Sequence, residues 1–86
     1  MVRKVEKAEY VEEYKIELVF DDGMSGIVDL KNEIWGKVFE PLRNINYFKN
    51  FQKDRWTIYW DCGADFAPEF LYKLVSEQKE DLIKQG

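Results

Sequence analysis

The sequence predicts an α+β domain: an antiparallel sheet built from two β-hairpins, with a short helix between them and a longer C-terminal helix packed on one face. Three observations predict it. Ile16, Leu18 and Phe20 alternate with Lys15, Glu17 and Val19, the period of two that marks a half-buried strand. A second strand pattern, Trp56 to Trp60, follows a polar turn at Asp54 and Arg55. Beyond Pro68, Leu71, Leu74, Val75 and Leu82 fall along one stripe of a helix.

Taken in order, residues 2–13 are charge-rich and fit an edge strand. The strand from Lys15 ends at Asp21, Asp22 and Gly23, residues of a tight turn, and MSGIVDL returns as its partner, so residues 14–30 form a β-hairpin. Between Leu30 and Phe48 the bulky residues are interrupted by Gly36 and Pro41, which predicts a short, broken helical connection. Pro41 suits a first helical turn, and Leu42, Ile45 and Phe48 would share one face. Phe51–Lys53 and Trp56–Trp60 make the second hairpin, with Trp56, Ile58 and Trp60 on the core face. DCGA then breaks the chain. Asp65 is the expected N-cap of the last helix, with Pro68 at its third position, and Lys79 and Lys84 suit its C-terminal dipole.

The length, 86 residues, makes 1–86 a single domain. A domain of this size buries only roughly 60 to 65% of the surface its unfolded chain exposes, so its core must be dense. Six Phe, five Tyr and three Trp supply that density. Cys62 is the single cysteine, which excludes an internal disulfide framework, and there is no histidine, the commonest ligand of zinc, copper or iron. Both facts fit a reducing, cytoplasmic setting. Seventeen acidic against thirteen basic residues leave a net charge of −4, which disfavours nucleic acid or an anionic membrane as the main partner. No apolar run approaches the roughly 20 residues a membrane span needs, and the N-terminus is too charged for a secretory signal.

The order of FDDGMSGIVDL (Phe20 to Leu30), VFEPL (Val38 to Leu42) and a strand ending at Trp60 before GADFAP (Gly63 to Pro68) resembles a bacterial family, domain of unknown function 2442. The resemblance runs from about Tyr10 to about Tyr72. Trp60, Gly63, Ala64, Asp65, Ala67 and Pro68 match the family's loop pattern, while Asp61 and Cys62 depart from it. It implies a small α+β domain with an antiparallel sheet and carries over no catalytic residue. Some members carry an appended helix-turn-helix domain, which has no counterpart in these 86 residues.

Each chemical constellation also has a plain structural reading. With Gly26 at the sixth position of a calcium loop, Asp21, Ser25, Val28 and Asp29 fall at positions one, five, eight and nine. Gly23 and Asn32 then stand where the third and twelfth positions require ligands, so the segment reads as a hairpin turn and no metal is expected. Cys62 precedes a helix, which can activate a thiol, but only Asp61, Asp65 and Glu69 are local and no histidine can act as its base. Asp65 and Glu69 read as cap and dipole residues, and Glu40 as a solvated one. Lys53, Arg55, Trp56 and Tyr59 mix cations and aromatics as single-strand binders do, though the alternation assigns Trp56 to the core. The last helix carries more apolar girth than one face buries: Phe70 and Ile83 fall off the main stripe, and Phe66, Phe70 and Ile83 form the candidate interface.

The expected function is that of a non-catalytic protein-interaction or regulatory module, with no cofactor and an unidentified protein partner or a second copy as its ligand. The alternative is a nucleic-acid-associated transcriptional regulator or an antitoxin-like partner protein.

Overall fold

Strand alternation and turn chemistry in residues 15–29 build the centre of the molecule, seen here in a computed structural model that describes residues 4–85, with side chains described as far as Gln78. β2 (Lys15–Phe20) and β3 (Ser25–Asp29) pair antiparallel in the register Ile16 to Val28 and Leu18 to Gly26. Ile16, Leu18, Phe20 and Val28 are buried, as the period of two requires. Gly23 turns the hairpin at φ 88°, a conformation that costs an L side chain roughly 1 to 2 kcal/mol. Asp22 holds the turn from inside, its Oδ1 accepting the Met24 N–H at 2.9 Å.

The expected edge strand is β1 (Val5–Glu12), which adds to the other side of β2 to give a three-stranded sheet in the order β1-β2-β3. The second hairpin, β4 (Gln52–Lys53) with β5 (Ile58–Tyr59), is a separate two-stranded sheet rather than a continuation of the first. This corrects the expectation of one sheet. The second hairpin's strands are two residues each and form a ladder only with one another among the described residues, and Asp54 closes the turn between them: its Oδ1 accepts from both Trp56 N–H and Thr57 N–H, at 2.7 and 2.8 Å, and curls residues 54–57. A single backbone bond, Val5 N–H to Trp56 C=O at 2.8 Å, bridges from β1 to this turn. The curl also resets the alternation. Ile58 and Trp60 stay in the core, but Thr57 is buried in place of Trp56, which is 45% exposed.

The connection between the hairpins breaks differently from the expectation. Residues Lys37–Arg43 form a 3₁₀ helix with Pro41 inside it, and α1 (Ile45–Phe48) is a separate turn capped by Asn44, whose side chain accepts the Asn46 N–H at 2.9 Å. Because the phase restarts at Asn44, Leu42 and Phe48 are buried while Ile45 is exposed, so the three do not share a face. Tyr14, at the β1-β2 turn, donates its hydroxyl to the Arg43 carbonyl and ties this connection to the sheet.

α2 (Pro68–Gln85) packs on β3. Pro68 is its first residue, not its third, because the Ala67 carbonyl already accepts from Leu71 N–H at 3.1 Å. Asp65 is therefore not the cap; it lies in an isolated antiparallel bridge with Tyr59. Leu71 and Val75 are buried and Leu74 packs partly against the core. Leu82, Lys79, Lys84 and Ile83, expected on the stripe, the C-terminal dipole and the interface, lie outside the described side chains. Two polar bonds fasten the helix alongside β3: Tyr72 hydroxyl to Asp22 Oδ2 at 2.8 Å, and Asp29 N–H to Gln78 Oε1 at 3.3 Å. Among the described residues no helix is long and apolar enough to cross a membrane.

Trp60 is the hub where the second hairpin, α1 and the segment entering α2 meet. Its indole is 5.6 Å from the Phe48 ring, 6.3 Å from Phe51 and 6.0 Å from Phe66, and its Nε1–H donates to the Phe48 carbonyl at 2.8 Å. No buried side-chain nitrogen or oxygen among the described residues lacks a hydrogen-bond partner.

Candidate functional site

Between the end of β3 and the 3₁₀ helix the chain turns sharply at Gly36, which sits at φ 90°. Ile34, just before it, is buried and anchors the segment, so the next side chain, Trp35, is thrown outward and is 70% exposed. Leaving so much indole in water forgoes on the order of 3 kcal/mol of burial. Val38, on the first turn of the 3₁₀ helix, is 47% exposed.

These two side chains line a groove of about 480 Å³ whose lining also includes Phe39, Phe66, Ala67 and Phe70. Three rings form a deck within it: Phe39 stacks on Phe66 at 5.2 Å and 22°, and Phe66 on Phe70 at 5.8 Å and 15°. Phe66, the middle ring, is held from below: it meets Trp60 edge-on and its carbonyl takes the buried Thr57 hydroxyl at 2.6 Å. Among the described residues, the charged ones lining the groove are Glu33 and Asp65, both acidic.

Of the expected interface residues, Phe66 is 6% exposed and belongs to the core, which corrects its assignment to an outer helix face: the chain enters α2 only at Pro68. Phe70 is half-buried and extends the same deck outward. Ile83 lies outside the described side chains. Trp35 and Val38 were not among the expected residues. A tryptophan set directly before glycine in a segment with no regular period was the available signal, since such a position leaves a bulky ring no neighbouring face to join.

The remaining constellations are separated or locally engaged. Asp22 serves its turn and Tyr72, and Asp29 Oδ1 accepts the Lys31 N–H at 3.0 Å. Among the described residues no group of three or more His, Cys, Asp or Glu could hold a metal ion. Cys62 is exposed, its Sγ 3.6 Å from the Val38 carbonyl. A hydrogen bond with this thiol holds the Tyr47 hydroxyl above its ordinary value, so Tyr47 stays protonated at neutral pH and offers Cys62 no base. On the second hairpin, Lys53 donates to the Asp54 carbonyl at 2.9 Å and Tyr59 to Gln52 Oε1 at 3.2 Å, while Arg55 and Trp56 are exposed.

Asp54 governs the hairpin that places Thr57 under Phe66. The Thr57 N–H, and after it the Trp56 N–H, hold its carboxyl below the usual carboxylate range. Because the folded-state pKa is lowered, this contribution to stability is fully present above the unfolded value, about 3.9, and is lost as pH falls through the lowered one. Asp54→Ala is therefore expected to destabilise the protein at neutral pH and to cost less near pH ~2, in urea unfolding at both values. A cost that does not change with pH would refute the role given to the carboxylate.

A family model described as protein of unknown function (DUF2442) matches residues 5–77. No curated protein and no solved structure matches the chain.

Proposed function

With the chain belonging to the DUF2442 family, whose description assigns no activity, we propose that it is a non-catalytic interaction module that binds another protein through the groove of Trp35, Val38, Phe39 and Phe70. One observation carries this reading. Trp35 and Val38 are held exposed, side by side with a stacked ring deck, although the rest of the small core is closely filled. Single exposed apolar residues are ordinary on a protein surface, but a tryptophan beside further apolar groups in a concave site is the composition of a binding hot spot. Among its described lining residues the groove carries two carboxylates, Glu33 and Asp65, but no cysteine, serine, histidine or lysine for them to work with, so recognition rather than reaction is the chemistry it suits.

The binding reading predicts a selective loss. Wild-type chain and the Trp35→Ala and Val38→Asp variants are immobilised, exposed to lysate of the source organism, and the bound proteins quantified and then titrated as purified partners. Trp35→Ala is expected to weaken the partner about thirtyfold while moving folding stability by less than about 0.5 kcal/mol, because the ring contributes little to the fold. A partner held equally by all three chains, or none held by the wild type, would remove the groove from consideration.

A further inference from the structure

We infer that the groove takes a short segment of a partner protein in which an aromatic or branched aliphatic side chain stands next to a lysine or arginine. This rests on the interaction reading above and specifies its ligand. The stacked rings of Phe39, Phe66 and Phe70 give the groove an apolar wall, and its volume of about 480 Å³ suits one large side chain rather than a whole helix face. Glu33 and Asp65, the two charged residues of the lining, are both carboxylates, and the indole of Trp35 is exposed beside them. A cation entering here meets carboxylate charge and can lie over an aromatic face, two attractions that an anionic group would meet as repulsion. Neither carboxylate has an ion-pair partner among the described residues.

The same charges select against the other occupants. Two copies pairing groove to groove would gather both pairs of carboxylates at one seam, and each copy carries a net charge of −4. Nucleic acid would bring phosphates to the acidic rim. A neutral apolar segment could fill the groove but would leave the carboxylates without a counter-charge.

The test uses the full chain, labelled with 15N, and three synthetic peptides of one length and one Leu and Phe pattern, whose remaining positions are lysine, glutamine or glutamate. The lysine peptide is expected to shift the Trp35 indole N–H and the amides of residues 38, 39, 66 and 70, to bind about tenfold more tightly than the glutamine peptide, and to lose that advantage in high salt or in the Glu33→Gln, Asp65→Asn double variant. The glutamate peptide should not bind. Equal affinity for the lysine and glutamine peptides at these residues would overturn the charge selection and leave the groove as a docking site. Shifts scattered elsewhere on the surface, or no shift with any peptide, would overturn the ligand assignment, and the reading of the groove itself then stands or falls on the Trp35→Ala capture. Sedimentation that detects a dimer abolished by Trp35→Ala would assign the groove to a second copy instead.

Discussion

Trp60→Ala is expected to remove about 3 to 5 kcal/mol of folding free energy, much of the roughly 4 to 13 kcal/mol that a domain of this length holds. The residue is 1% exposed and contacts rings from three parts of the chain: Phe48 from α1, Phe51 before β4, and Phe66 before α2. Truncation opens a cavity among α1, the second hairpin and the segment entering α2. It also strands the Phe48 carbonyl that the indole N–H satisfies. Trp60→Phe separates the two effects. It keeps an aromatic ring in the site but loses the donor, and should cost about 1 to 3 kcal/mol. Urea unfolding followed by far-UV circular dichroism measures both, and a loss under about 1 kcal/mol for Trp60→Ala would show that the hub is dispensable.

Leu71→Ala should cost about 2 to 5 kcal/mol, and Phe70→Ala, one residue away, less than half as much. Leu71 is fully buried where α2 packs on β3, whereas Phe70 is half-buried at the outer end of the ring deck. Neighbours on a helix point about 100° apart, so one step along the chain moves a side chain from core to groove. Paired urea curves check the stability difference. The peptide titration supplies the converse, since Phe70→Ala is expected to weaken groove binding. Equal stability costs at the two positions would mean that the helix is rotated from the orientation described.

How much of this was legible depends on the range of the interaction that decides each feature. The hairpin of residues 15–29 was readable because a period of two and an Asp-Gly turn act within a few residues. The last helix was readable for the same reason, although its start at Pro68 lies two residues later than the expected cap implies. Of the residues expected at an interface, Phe70 lines the proposed groove and Phe66 is buried, while Trp35 and Val38, the exposed large apolar residues of that groove, carried no periodic signal. Two side chains account for the errors of phase. Asp54, by accepting two backbone N–H groups, turned Trp56 out of the strand alternation, and Asn44, by capping a new turn, broke the face that Leu42, Ile45 and Phe48 were expected to share. An Asp or Asn that caps a turn and one that rests in solvent look identical in a string of letters.

From residue order alone came the α+β class, the central hairpin, the last helix, an aromatic-rich core and a family resemblance that the match over residues 5–77 establishes. The structural features follow from local backbone preference and total apolar content, and the resemblance from motifs matched in order along the chain. Tertiary structure alone decided that the hairpins form two sheets, that Trp60 packs among Phe48, Phe51 and Phe66, and that Trp35 and Val38 stand exposed beside stacked rings. Burial depends on which distant surfaces meet, and the free energy that chooses among those meetings is shared by the whole chain, so no short window of sequence contains it.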